Sequence, residues 1–199
     1  MTKTVDFIFD FASPNAYLAW KVLPDILART GAGVNVVPCL LGGLFKLTGN
    51  QAPMTAFGGV KGKLAYERLE TDRFIRANHL AAFRMNPHFP VNTLMIMRGF
   101  VAARRQGVGE AYMDAVLQAM WEDGRRMDDP VVVAETLTAA GLDARAILEA
   151  TQDGEVKAEL AANTDAAAAR GAFGIPTFFV GEEMFFGKER LGQVEAELA

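Results

Sequence analysis

The sequence predicts an α/β fold in which a four-stranded sheet domain is interrupted by an all-helical insertion. Three observations carry this prediction. Strand-like runs lie near both ends of the 199-residue chain, apolar residues with helical spacing fill the middle, and glycine and proline separate the segments. Apolar residues make up 51% and charged residues 22% of the chain, which is typical of a globular protein with a sizeable core.

The first 40 residues predict a strand, a helix and a second strand. Residues 3–11 alternate polar and apolar side chains before they end on aromatics, as a strand does. Ser13 is a good N-cap for the following helix, with Pro14 at its first position. This helix is expected to end near Thr30, and residues 34–37 form the second strand, which completes a segment of βαβ length.

The middle of the chain is predicted to be mostly helical. Between residues 40 and 59, five glycines and a proline indicate a loop with one short helix at 44–47. Six longer helices follow, at residues 64–78, 93–106, 110–122, 131–140, 144–150 and 155–170.

The end of the chain returns to the sheet. Residues 176–180 and 184–186 predict two more strands, and residues 188–198 a closing helix. The predicted domains are therefore a sheet domain of residues 1–40 and 152–199, and a loop and helical insertion domain of residues 41–151.

Charge and cysteine content exclude several classes of function. The net charge of −4, with no basic cluster among aromatic residues, argues against nucleic-acid binding, and no apolar run reaches the roughly 18–20 residues that span a membrane. No secretory signal is recognisable. Cys39 is the only cysteine, which excludes an intrachain disulfide, and His79 and His88 are too few for a metal site. We therefore expect a cytoplasmic protein without a metal, a nucleic-acid partner or a membrane partner.

Two segments near the chain ends are candidates for chemistry. One, residues 10–17, contains Ser13, whose hydroxyl at a helix N-terminus can donate a hydrogen bond to a thiolate that a ligand brings. The other, residues 174–180, contains Ile175-Pro176 before a strand. The alternatives are a simple helix cap for Ser13 and an ordinary first-position strand proline. The sequence leaves the cis or trans state of Pro176 open.

Further motifs make the chain similar to a known family. They are Asp10–Ala19, Leu41–Asn50, Lys63–Tyr66, Phe89–Asn92, Gly171–Thr177 and Met184–Leu191. With these motifs in this order, the chain resembles the 2-hydroxychromene-2-carboxylate isomerases and kappa-class glutathione transferases over essentially its whole length. These families are related to the DsbA-type oxidoreductases, so the resemblance implies a thioredoxin-like sheet domain. The oxidoreductases carry Cys-Pro-x-Cys where this chain has Ser13-Pro14-Asn15-Ala16, which excludes disulfide exchange at this site.

The resemblance implies glutathione as cofactor and assigns residues to it. Ser13 would hydrogen-bond the glutathione sulfur and favour its thiolate, and the backbone of Ile175, before a cis Pro176, would pair with the cysteinyl unit. Asn50 and Lys63 would help to hold the peptide, Lys63 through the glycine carboxylate. Without the resemblance, Lys63 is a solvated helix lysine and Asn50 a turn residue.

The γ-glutamyl end of the implied site departs from the family pattern. The family has a small polar residue and then Asp before Arg-Leu, whereas this chain has Lys188-Glu189. Glu189 keeps a carboxylate for the γ-glutamyl ammonium, with a longer reach, and Lys188 places a cation beside that ammonium. The alternative for both is a charged first helical turn.

The implied activity is glutathione-dependent cis–trans isomerisation of an aromatic 2-oxo acid in aromatic hydrocarbon catabolism. The substrate would be 2-hydroxychromene-2-carboxylate and the product trans-o-hydroxybenzylidenepyruvate, and Arg84 and Arg98 are candidates to bind the substrate carboxylate. Two alternatives stay open: a kappa-like transferase that conjugates electrophiles, and a non-catalytic glutathione- or peptide-binding protein. A homodimer is expected from the resemblance.

Overall fold

The computed structural model describes residues 2–199 and confirms the predicted α/β class. Its sheet contains β1 (Thr4–Phe9), β2 (Gly33–Pro38), β3 (Thr177–Val180) and β4 (Glu183–Phe186), in the order β2-β1-β3-β4. β1 and β2 are parallel, while β3 is antiparallel to both of its neighbours. The central strand β1 therefore joins the beginning of the chain to its end.

The helices follow the predicted order. They are α1 (Pro14–Thr30), α2 (Leu41–Thr48), α3 (Pro53–Phe57), α4 (Lys63–Ala77), α5 (Leu94–Arg105), α6 (Gly109–Trp121), α7 (Pro130–Ala139), α8 (Ala144–Ala150), α9 (Gly154–Ala169) and α10 (Leu191–Leu198). A 3-10 turn, Lys188–Arg190, precedes α10. Helices α2–α8 form the helical insertion between β2 and α9, and the predicted domain boundaries at residues 41 and 151 stay a prediction. Within residues 2–199, no helix is both long and apolar enough to cross a bilayer.

Aromatic side chains join the sheet to the insertion in one core. The Phe7 ring stacks on that of Phe178, with centroids 5.0 Å apart. At the end of β1, the rings of Phe9 and of Phe11, two residues beyond the strand, meet edge to face, and both contact the ring of Phe100 in α5. Such pairs add to the burial of apolar area. The end of β1 is therefore held between the sheet and the helical insertion.

The segment between residues 40 and 59 is more helical than predicted. Instead of one short helix at 44–47, the structure has α2 over Leu41–Thr48 and α3 over Pro53–Phe57. Glycines in a helix interior disfavour it, but a Cβ at Gly43 would lie 2.9 Å from the Cγ2 of Thr164 in α9. The close approach of α2 to α9 therefore accounts for a glycine there, and tertiary packing overrides the local preference.

Candidate functional site

Ser13 lies at the N-terminus of α1 and contacts the loop before β3. Its Oγ accepts a hydrogen bond from the backbone N–H of Ala16 at 3.2 Å, which makes it the predicted helix cap. The same hydroxyl donates to the carbonyl oxygen of Ile175 at 2.9 Å, and Ser13 is 3% exposed. The two candidate segments are therefore in direct contact, although 162 positions separate them in the sequence.

The Ile175 backbone has one free hydrogen-bonding group. The Ile175–Pro176 peptide bond is cis, and Ile175 lies just outside β3. Its carbonyl accepts from Ser13, but its N–H donates to no acceptor within residues 2–199. Because buried backbone N–H groups are almost always paired, this donor is available to an extended peptide-like ligand.

The first turn of α1 supplies a second free donor. Pro14 has no N–H, and the amide of Ala16 is satisfied by Ser13. The N–H of Asn15 meets no acceptor in the described part of the chain. Together with the positive end of the helix dipole, this amide favours an anion next to Ser13, and a thiolate is the anion that such helix ends stabilise in proteins.

Asp10 organises the loop that carries Ser13, and it is a residue that the sequence analysis did not single out. Its carboxylate is buried and accepts three hydrogen bonds, from Ala12 N at 2.9 Å, Leu41 N at 2.8 Å and Thr93 Oγ1 at 2.7 Å. These donors come from the Ser13 loop, the start of α2 and the residue before α5. One side chain thus ties the sheet to the helical insertion beneath the site.

Burial governs the titration of the two acidic groups below this loop. It raises the pKa of Asp10, and the hydrogen bonds from Ala12, Leu41 and Thr93 act in the opposite direction. Burial, with a smaller contribution from the Asp10 charge, raises the pKa of the Cys39 thiol to about 12. Cys39 is therefore a protonated, buried thiol at neutral pH, in agreement with its interpretation as a small core residue.

Asn50 lies next to the Ile175 loop. Its Nδ2 donates to the carbonyl oxygen of Phe173 at 2.8 Å, two residues before Ile175. Its Oδ1 accepts from the N–H of Gln51 at 2.8 Å, so the side chain is held on both sides. Asn50 is thus brought to the site, where its role in ligand binding stays a prediction.

Lys63 is not brought into contact with the other predicted residues. It begins α4, where its Nζ forms an ion pair with Glu67 one turn later and lies 5.4 Å from the centroid of the Phe57 ring. Both contacts belong to α3 and α4 themselves. The structure therefore gives Lys63 a local role, and its assignment to a ligand carboxylate stays a prediction.

Lys188 and Glu189 lie one and two residues beyond Gly187, in the turn that contacts Pro176. The N–H of Gly187 donates to the carbonyl oxygen of Pro176 at 2.9 Å, which fixes this turn beside the Ile175 loop. The Lys188 side chain is 2% exposed and donates to Oε1 of Glu189, whose own side chain is 49% exposed. Glu189 is therefore a half-exposed carboxylate next to this turn, with a cation already bound to one of its oxygens.

The two candidate arginines have different surroundings. Arg84 is exposed and donates through Nη1 to the carbonyl oxygens of Ala81 and Phe83 in its own loop. Arg98 lines a cavity of about 350 Å³ together with Asn92, Leu94, Met95, Asp128, Thr151 and Gln152. The binding of a substrate carboxylate by either arginine stays a prediction. Within residues 2–199, no three His, Cys, Asp or Glu side chains are grouped as metal ligands would be.

Comparisons with known proteins agree with this fold. A family described as the DSBA-like thioredoxin domain matches residues 4–199. The chain is 31% identical to a 2-hydroxychromene-2-carboxylate isomerase of Sphingobium xenophagum, with 100% of this chain and 99% of that one covered. It is 25% identical to Glutathione S-transferase kappa 1 of Homo sapiens, with 96% of this chain and 88% of that one covered.

A solved structure supports the same relationship. The structure of a 2-hydroxychromene-2-carboxylate isomerase matches with a TM-score of 0.80 and 28% identity, and the match covers 97% of this chain and 93% of that one. The chain is thus similar to 2-hydroxychromene-2-carboxylate isomerases both in fold and in sequence, over nearly the full length of each chain. The chain belongs to the DSBA-like thioredoxin domain family and, within it, to the family of the 2-hydroxychromene-2-carboxylate isomerases.

Proposed function

We propose that the protein is a glutathione-dependent isomerase that interconverts 2-hydroxychromene-2-carboxylate and trans-o-hydroxybenzylidenepyruvate. One observation carries the proposal. At the N-terminus of α1, Ser13 lies where the related oxidoreductases have a cysteine, and its hydroxyl contacts the Ile175 carbonyl beside a free Ile175 N–H. The chain has no thiol of its own at this site, since Cys39 is buried and protonated. A ligand must therefore supply the sulfur.

The residues present fit glutathione at its cysteinyl unit. The free N–H of Ile175 would bind that unit, and the Ser13 hydroxyl would turn from the Ile175 carbonyl towards the sulfur. The Asn15 N–H and the dipole of α1 would favour the ionised sulfur over the thiol. When bound, glutathione supplies a nucleophile that adds reversibly to a double bond conjugated with a carbonyl, which allows rotation about that bond.

Three more side chains belong to the proposed glutathione site. Asn50 would keep the Phe173 backbone in place beside the peptide. Lys63 would exchange its exposed ion pair with Glu67 for the glycine carboxylate, and an exposed pair of this kind costs little to break. Glu189 would face the γ-glutamyl ammonium, although Lys188 already occupies one of its oxygens.

A second candidate function follows from the similarity to the kappa-class transferase. A transferase would use the same sulfur and the same Ser13 hydroxyl, but would release a conjugate as its product. The Lys188–Glu189 ion pair favours a third candidate, a protein that binds such peptides without turnover, because it weakens one end of the site.

One experiment tests these candidates against each other. The purified protein is incubated with 2-hydroxychromene-2-carboxylate, with and without glutathione, and formation of the product is followed by its absorption spectrum. The proposal predicts conversion that requires glutathione. No conversion with glutathione present would contradict it, conjugation of chlorodinitrobenzene would support the transferase, and binding of glutathione without either reaction would support the non-catalytic protein.

We also propose that the protein is a homodimer, as the resemblance implies. Helices α3 and α4 contain no buried residue, and together with the loop between them they expose the apolar side chains of Met54, Phe57, Val60, Tyr66 and Leu69. Exposed apolar clusters mark interaction surfaces. A second copy of the chain is therefore expected to cover these apolar side chains. Sedimentation velocity should give twice the chain mass of 21.5 kDa, and a monomer at all concentrations would contradict the dimer.

A further inference from the structure

Lys188 is a buried cation at the edge of the proposed thiol site. Its ammonium donates to Oε1 of Glu189 and lies 5.5 Å from the centroid of the Phe74 ring in α4. Lysine is almost never fully buried unless it is paired, and Glu189 is the carboxylate that pairs with it. Lys188 therefore acts on Glu189 and is itself shielded from any ligand.

The ion pair changes what a ligand meets at this end of the site. An ammonium that approaches Glu189 is attracted by the carboxylate and repelled by the Lys188 ammonium behind it. Coulomb energy falls only in inverse proportion to distance. The Lys188 ammonium, which lies just behind the Glu189 carboxylate, therefore repels the ligand ammonium strongly enough to offset much of its attraction to that carboxylate. A carboxylate with a bound cation thus offers a weak ammonium site.

A second carboxylate near Lys188 is also paired with a cation. This carboxylate is Glu70, on α4, which the Lys188 charge acts on. Its pKa is lowered mainly by the hydrogen bond from Arg73, with Lys188 as a smaller contribution, and it forms an ion pair with Arg73. Both acidic groups at this end are therefore already neutralised by cations of the chain itself.

We propose that Lys188 sets the thiol specificity of the site by making its γ-glutamyl end charge-neutral. The site would then accept cysteinylglycine thiols whose N-acyl group lacks an α-ammonium about as well as it accepts glutathione. This inference deepens the proposed function and rests on it, because it assumes that a glutathione-like peptide binds along Ser13 and Ile175. It concerns the class of thiol and leaves the aromatic substrate unchanged.

Binding without turnover tests the proposal. Isothermal titration calorimetry would compare S-methylglutathione with its des-amino counterpart, S-methyl-N-glutaryl-cysteinylglycine, which lacks only the α-ammonium. For the unchanged protein we expect affinities within about five-fold of each other, the most that an exposed ion pair contributes. For Lys188→Met, S-methylglutathione should bind about ten-fold more tightly or better, because the like charge is gone, while the des-amino ligand should change little.

Two controls separate this effect from a general change in charge or fold. Lys3→Met removes the same charge at the opposite end of β1, where Lys3 donates to the Glu197 carbonyl, and should leave both affinities unchanged. The double variant Lys188→Met/Glu189→Gln replaces the neutral ion pair by two neutral side chains and should also leave the ratio of the two affinities nearly unaltered. If Lys188→Met does not fold, this second variant decides: a large fall in the preference for S-methylglutathione overturns the proposal.

The remaining outcomes distinguish this inference from the proposed function. The unchanged protein could bind both ligands but prefer S-methylglutathione by about ten-fold or more. In that case a carboxylate binds the ligand ammonium, and the proposal that Lys188 neutralises this end of the site is wrong. The glutathione site then stands. If neither ligand binds, the proposed function fails and this inference fails with it.

Discussion

Replacement of Ser13 by alanine is expected to reduce glutathione-dependent turnover about 10- to 150-fold, because a hydrogen bond to a charged group contributes about 1.5–3 kcal/mol. The hydroxyl that contacts the Ile175 carbonyl at 2.9 Å is the side-chain donor that the site would offer to the sulfur. The substitution also removes the cap of α1, which costs about 1 kcal/mol. The variant should therefore fold, and kcat/KM with glutathione should fall.

Asp143→Ala provides the matched control for the lost cap. Asp143 caps α8 by accepting from the N–H of Ala146 at 3.0 Å, so its removal should cost a similar amount of stability without any loss of turnover. Thermal unfolding followed by circular dichroism checks that both variants are folded. Equal turnover of Ser13→Ala and the unchanged protein would remove Ser13 from the mechanism.

Replacement of Asp10 by alanine is expected to lower the free energy of unfolding by about 3 kcal/mol, since donors left unsatisfied in a buried position cost about 1–3 kcal/mol each. The substitution leaves the N–H groups of Ala12 and Leu41 and the hydroxyl of Thr93 without their acceptor. Part of this cost is recovered because the desolvated charge disappears. Urea unfolding measures the change.

Asp25→Ala is the control for Asp10. Asp25 lies on an exposed position of α1, where a surface substitution should change stability by no more than about 0.5 kcal/mol. A similar small effect of Asp10→Ala would contradict the view that Asp10 ties the Ser13 loop to α2 and α5. Asp10 also holds the loop that carries Ser13. The variant should therefore lose activity as well as stability.

The helices could be predicted well where local chemistry determines their ends. Asp129 and Asp143 cap α7 and α8 through their carboxylates, and Pro130 takes the first position of α7. These signals lie within a few residues of each other, so the sequence contains them. Helix α2 was predicted too short because its glycines disfavour a helix locally, whereas its packing against Thr164 in α9 joins residues that are distant in sequence.

The candidate site could be predicted only in part for the same reason. Ser13 and Ile175 carry recognisable motifs, and the structure joins them by a hydrogen bond. Asp10 has three donors from separate segments, and only the folded chain brings them together. An acidic residue at the end of an apolar strand was its only local signal. For Lys188, the sequence predicted a cation beside the γ-glutamyl ammonium, but its contact with the Phe74 ring in α4 joins residues that are distant in sequence.

The ionisation state of glutathione bound to the protein decides whether Ser13 and the N-terminus of α1 stabilise a thiolate. The ultraviolet absorption of the thiolate would be titrated with pH for free glutathione, for glutathione with saturating protein, and for glutathione with Ser13→Ala. We expect a pKa for the bound thiol clearly below the ordinary value of about 8.5, and a return towards that value in the variant. An unchanged pKa on binding would contradict the claim that Ser13 and the N-terminus of α1 stabilise a borrowed thiolate.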